Sequence, residues 1–213
     1  MCTSTNSIME KLAEQTNESH IICNGKNSEI VIGAPHHAPR GVKRLPCDRP
    51  ADQNTGYIAL YLAELLGCST IISTNATMDP NKKIDSPYSQ LLKNLSPKYL
   101  IEIHGHGSGK ANFDVEISAG NFKDNQWSLL LAKNLNNKLE GAPVLNKLNI
   151  SGDFNKIYFK ATKTVTIQYD GWLGIHIELP LKLRREKNYT QLPLIGKQFT
   201  QCLAVSINKT LRI

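Results

Sequence analysis

Several absences narrow the reading of this chain before any motif is considered. No stretch approaches the roughly 18 to 20 consecutive apolar residues of a membrane-spanning helix. The five cysteines (Cys2, Cys23, Cys47, Cys68 and Cys202) are odd in number and lack C-x-x-C spacing, which argues against both a zinc ribbon and a disulfide framework. Reduced, mostly buried thiols are expected instead. The opening MCTSTNSIMEKLAEQTNESH has neither the basic start nor the apolar segment of a secretory signal, so a cytoplasmic location is the expectation. There is no internal repeat and no low-complexity tract. Aromatic residues make up only 7% of the chain, and no aromatic-studded RNA-binding motif accompanies its formal charge of +7. Apart from KLRREK at 182–187 the basic residues are dispersed, so the charge permits attraction to anions but alone names no partner, and a solvated basic face is expected rather than a nucleic-acid site.

What remains is an ordinary globular composition, 40% hydrophobic and 20% charged over 213 residues, enough for one domain with a sizeable core. We expect one domain over 1–213, with 1–25 as a loosely ordered or helical N-terminal extension. Strands are expected at 28–35 (SEIVIGAP), 69–74, 99–104 (YLIEIH), 113–118 (FDVEIS), 164–169 (TVTIQY) and 174–180 (GIHIELP), each rich in β-branched residues. Helices are expected at 54–67, started by Asn54 or Thr55 and ended by Gly67, and at 86–95, 126–139 and 191–207. This alternation predicts an α/β fold with a mixed, partly parallel sheet covered by helices.

Strand periodicity puts Glu102 with His104, Asp114 with Glu116, and His176 with Glu178, each pair on one face. Polar residues two apart inside apolar strands are costly unless hydrogen-bonded, metal-bound or facing a wet cleft. Four of the six histidines fall in two clusters after predicted strands, His36–His37 and His104–His106. A catalytic zinc site needs about three protein ligands and an open position. One histidine from each cluster and Asp52, directly before a helix, would supply them; the spacing leaves open whether His36 or His37 turns to the metal. Glu178, among apolar neighbours that raise its proton affinity, is the candidate general base. Asn81 and Lys82, in MDPNKK, offer an amide and a cation to a substrate carboxylate. The glycine-rich HGHGSGK at 104–110 does not match the phosphate-binding loop pattern, which needs glycine at His104 and a hydroxyl at Ala111, and phosphate transfer is the least favoured expectation.

The order of these pieces resembles the zinc carboxypeptidase-like hydrolases, and within them the N-formylglutamate amidohydrolase family. GAPHHAPRG (33–41), ADQNTG (51–56), MDPNKK (78–83), YLIEIHGHG (99–107) and GIHIELP (174–180) carry the resemblance. It implies a zinc carboxypeptidase or phosphorylase-hydrolase-like fold and one zinc ion held by His36, Asp52 and His104. It further implies Glu178 as the base that activates water and Asn81 with Lys82 as the carboxylate clamp. His37, Arg40 and His106 are expected as further substrate contacts. Two departures stand out. The H-x-x-E ligand pair of carboxypeptidases is absent, since Pro39 and Arg40 stand three residues after His36 and His37, and the clamp arginine is Lys82 here. The implied activity is hydrolysis of an amide bond beside a carboxylate-bearing group, as in an N-acyl amino acid or a γ-glutamyl peptide. The competing expectation is a non-catalytic basic module that binds a metabolite or nucleic acid. Oligomeric state is not encoded in these features.

Overall fold

The computed structural model describes residues 5–15, 17–39, 41–107, 109–185 and 192–212. In chain order it contains α1 (Thr5–Glu14), β1 (Ser19–Cys23), β2 (Asn27–Ala38), β3 (Asp52–Gln53), α2 (Thr55–Leu66), β4 (Cys68–Thr74) and α3 (Pro87–Leu95). There follow β5 (Tyr99–His106), β6 (Val115–Ser118), α4 (Asn125–Leu139), β7 (Ile150–Ser151), α5 (Val165–Gln168), β8 (Leu173–Pro180), α6 (Leu181–Arg184) and α7 (Leu194–Leu211). The strands form one eight-stranded sheet in the order β1-β4-β2-β5-β8-β6-β7, with β3 attached to β2. β4, β2, β5 and β8 run parallel, β1 runs against β4, and β6 runs against β8 with β7 parallel to it.

Alternation along the strands divides the core in two. Ile30, Ile32, Ile101, Ile103, Ile175 and Ile177 point to the face covered by α2, α4 and α7, where Leu62, Leu135, Phe199 and Leu203 meet them. Val31, Ile71 and Leu100 point to the other face, against Tyr88 and Leu92 of α3 and Trp172. Each such side chain, fully buried, contributes about 1.5–3 kcal/mol. The described part of 1–25 joins this body: Ile8 and Leu12 of α1 are buried in the larger cluster, and β1 pairs with β4. No helix among the described residues is long and apolar enough to cross a membrane, and Cys47, Cys68 and Cys202 are free thiols.

Several local expectations are corrected. TVTIQY does not form a strand; Val165–Gln168 makes one helical turn. Its groups are claimed by tertiary partners, the Val165 amide by the Asn81 carbonyl and the Thr166 hydroxyl by Glu102, and these override the β propensity of Val165 and Ile167. Asn54 does not cap α2 with its side chain, whose Nδ2 donates to the Arg184 carbonyl instead. Gly67, with φ 64°, does end that helix in the left-handed conformation. The two histidine pairs lie within the last residues of β2 and β5 rather than after them, and β6 starts at Val115 rather than Phe113.

Candidate functional site

From β2 the chain moves to β4 on one side and then returns to β5 on the other. The crevice beyond the carboxyl ends of β2 and β5 is therefore the point where strand order reverses, where open α/β sheets bind ligands. The chemistry-bearing side chains collect there. β2 delivers His36, β5 delivers Glu102 and His104, and β8 delivers His176 and Glu178. The bridge between His37 and Asp52 lays β3 beside β2, which puts Asp52 next to His36. The loop after β4 adds Asp79, Asn81 and Lys82, and the loop before β3 adds Arg49.

Three buried atoms converge. His36 Nδ1 lies 3.3 Å from Asp52 Oδ2 and 3.1 Å from His104 Nδ1, and His104 Nδ1 lies 3.1 Å from the same oxygen. Ligand atoms on a tetrahedron with bonds of about 2.0–2.1 Å stand about 3.4 Å apart, so this triangle matches one face of a zinc site. The far nitrogens are held by carboxylates: His36 Nε2–H donates to Asp79 Oδ1 at 2.9 Å, and His104 Nε2–H to Glu102 Oε2 at 3.3 Å. Such partners fix the tautomer that leaves each Nδ1 lone pair pointing inward. The residues present fit a divalent metal. A second group, His104 with His176 and Glu178, also has donor atoms close together. There the two rings stack at 4.2 Å and 28°, so lone pairs in their nearly parallel planes do not meet at one centre.

Electrostatics point the same way. Burial alone would raise the Asp52 carboxyl, but hydrogen bonds from His104 and His36 and their charge hold it well below the usual range. Burial opposes charge on His104 as well, yet its bonds to Asp52 and Glu102 raise it to about 9. A centre that grips a proton so firmly is one where a divalent cation can replace it. Beneath it, Glu102 is saturated. Oε1 accepts from the Tyr88 hydroxyl at 3.1 Å and the Thr166 hydroxyl at 2.7 Å, while Oε2 accepts from Asn81 Nδ2 at 3.1 Å and from His104. Gly33 makes this floor possible, because a Cβ there would sit on the Tyr88 hydroxyl.

Above the triangle opens a cavity of about 280 Å³ lined by His36, Arg49, Lys82, His104, His176 and Glu178 among others. Seven buried side-chain nitrogens or oxygens among the described residues lack a hydrogen-bond partner. Four of them belong to residues of this cleft: Arg49 Nε, Asn81 Oδ1, His176 Nδ1 and Glu178 Oε2. Burial, with the charge on Asp52 added, pushes the Glu178 carboxyl up to about 7. Burial and the cationic His104 ring push His176 well down, so it is a neutral imidazole, its Nε2 3.5 Å from Glu178 Oε1.

The structure brings His36, Asp52, His104, Asn81, Lys82 and Glu178 together around this cleft. Lys82 Nζ donates to the Thr164 hydroxyl at 2.8 Å and, by burial, has its pKa lowered. Asn81 turns its amide nitrogen inward to Glu102, so the group left without a partner is its carbonyl oxygen, not the donor expected for a carboxylate clamp. His37 is not at the cleft: it projects beside α2, where its Nδ1 accepts from the Gly56 amide and burial lowers it to about 4. His106 donates through Nε2 to the Asp114 carbonyl, stacks on Phe159 and lines a neighbouring cavity of about 410 Å³. Arg40 lies outside the described residues.

Sequence reasoning missed Asp79 and Arg49 and gave Glu102 and His176 no individual role. The period-two pairing with His104 and Glu178 was the available signal for the last two; Asp79 looked like a turn residue. Glu116, across the ladder from Glu178, turns to two loops: Oε1 accepts the Asn112 and Phe113 amides at 2.7 and 3.2 Å, and Oε2 the Tyr158 and Phe159 amides at 2.9 and 2.7 Å.

Neither a protein-family model nor a curated protein sequence matches the chain. Solved structures do. A bacteriophage poly-gamma-glutamate hydrolase superposes with a TM-score of 0.62 at 13% identity, covering 95% of each chain. An N-formylglutamate amidohydrolase from Ralstonia eutropha gives 0.52 at 11% identity over 91% of this chain and 96% of its own. A metallo-carboxypeptidase from Burkholderia cenocepacia gives 0.53 at 9% identity over 97% of this chain and 68% of its own. The likeness expected from the motifs is therefore present in the fold: an α/β domain with a mixed sheet flanked by helices, as in these structures.

Proposed function

We propose that this chain is a zinc-dependent hydrolase that cleaves an amide bond adjacent to a carboxylate-bearing group, in an N-acyl amino acid or a γ-glutamyl-type substrate. The observation that carries the reading is the triangle of His36 Nδ1, Asp52 Oδ2 and His104 Nδ1 beside a buried glutamate with an oxygen left unpartnered. An ion held by these residues supplies Lewis-acid polarisation of the amide carbonyl and a more acidic water. Glu178 takes the proton of the attacking water on Oε2 and passes it to the departing nitrogen; a carboxyl whose pKa stands at about 7 suits both transfers near neutral pH. Asp79 and Glu102 hold the two ligand imidazoles in register, and Lys82 with Arg49 gives the cleft its attraction for an anion. The names of two structural relatives, a poly-gamma-glutamate hydrolase and an N-formylglutamate amidohydrolase, support a glutamate-derived amide.

The test joins elemental analysis of purified protein to a panel of N-acylglutamates and γ-glutamylglutamate. One zinc per chain with hydrolysis of a panel member is the expected result, and Asp52→Asn should lose metal at zinc concentrations that saturate the wild type. Absence of both bound divalent metal and hydrolysis would overturn the reading.

A further inference from the structure

Arg49 enters the cleft with one edge engaged and the other without a protein acceptor. Its Nη1 donates to Asp79 Oδ2 at 2.7 Å. Its Nε is buried and has no partner, and no hydrogen bond from Nη2 is found among the described residues. Nε–H and Nη2–H project side by side from a planar guanidinium, the spacing that matches the two oxygens of a carboxylate. The engaged edge is equally informative. Asp79 holds Arg49 on one oxygen and His36 on the other, at 2.7 and 2.9 Å, so the guanidinium is preoriented at a fixed offset from the metal-binding triangle. Lys82 differs: its ammonium donates to the Thr164 hydroxyl and is a point charge without the planar fork that pairs a carboxylate in two places.

We propose that the Nε–Nη2 edge of Arg49 binds a substrate carboxylate in bidentate fashion and is the specificity-determining contact for it, with Lys82 adding charge alone. The assignment rests on the amide-hydrolase reading above. It moves the carboxylate grip from the Asn81–Lys82 pair to a different segment of the chain. The anion is held from the His36 side of the cleft, which sets how far it can lie from the scissile amide.

Each hydrolysed panel member is compared with analogues in which one carboxylate at a time is a carboxamide, in wild type, Arg49→Gln, Arg49→Lys and Lys82→Ala. Wild type should prefer the acid in kcat/KM by on the order of 10²-fold at one carboxylate position, the worth of a charge-assisted pair. Arg49→Gln should reduce that preference to below about tenfold through loss on the acid substrate. Arg49→Lys, which keeps a donor for Asp79, should fall between, and Lys82→Ala should retain most of the preference. An Arg49→Gln variant that loses equal activity on acid and amide substrates, preference intact, would reduce Arg49 to a support for Asp79 and overturn the proposal. If wild type hydrolyses no panel member, the hydrolase reading itself fails. The Arg49 assignment is then read from calorimetric binding of glutarate, which must weaken at least about tenfold in Arg49→Gln; unchanged affinity overturns it.

Discussion

Glu102 and Glu178 occupy adjacent parallel strands, Glu102 paired in register with His176 and His104 with Glu178, and both carboxylates are buried. One accepts four hydrogen bonds and is held below the usual carboxylate range; the other leaves an oxygen unpartnered and stands at about 7. The same division runs through the whole site. Its floor, made by Glu102, Tyr88, Thr166 and the inward faces of Asn81 and His104, is closed to further partners. Its wall, made by Glu178, His176, Arg49 and the amide oxygen of Asn81, carries the unsatisfied atoms. Saturated groups hold ligand atoms where they are, while unsaturated ones are available to reactants.

The largest effect that can break this contrast is on the wall. Glu178→Gln should lower kcat by about 10²–10⁴-fold while metal content is unchanged, measured by turnover and elemental analysis; retained activity would remove Glu178 as the base. The same variant carries a stability signature. Below about pH 4.5 Glu178 is protonated in both folded and unfolded chains and costs nothing. As pH rises toward 7 the unfolded chain loses the proton first, so the wild type is progressively destabilised, and the full cost is present above 7. Metal-free Glu178→Gln should therefore gain up to about 3 kcal/mol over metal-free wild type between pH 4.5 and 8 in denaturant titrations.

On the floor the sign reverses. Glu102→Ala orphans four buried donors and should cost about 3–5 kcal/mol in denaturant titrations, with metal affinity falling about 10–100-fold by calorimetry. Gly33→Ala, which displaces the Tyr88 hydroxyl, should cost about 1–3 kcal/mol and weaken metal binding in the same direction. Outside the cleft, the partly exposed pair of Lys182 with Asp114 supplies the smallest effect. Lys182→Ala should change stability by about 1 kcal/mol or less and leave metal binding untouched.

The meeting of His36, Asp52 and His104 was legible because strand ends of an α/β sheet point into one crevice, and a strand-borne glutamate among apolar residues announces its own desolvation. The partners of those residues were not. Asp79, in Met-Asp-Pro-Asn, has the local chemistry of a turn, and only its contacts with His36 and Arg49 across the fold give it another role. Arg49 lies three residues before Asp52 in an irregular stretch where no periodicity reports direction. His37 shows the opposite error: adjacent to a ligand-positioned histidine in sequence, it faces α2, because the register shift in β2 between Ala34 and His37 reverses the alternation set by Ile30 and Ile32. TVTIQY misled for a related reason, since β-branched alternation describes side chains and says nothing of the distant carbonyl waiting for the Val165 amide.

Glu116 gives the cleft a mechanical property. One carboxylate staples Asn112 and Phe113 to Tyr158 and Phe159, and those last two residues wall the cleft while the first two wall the cavity beside His106. The two chambers are thus hinged on a common pin, and widening either for a bulkier occupant strains the other.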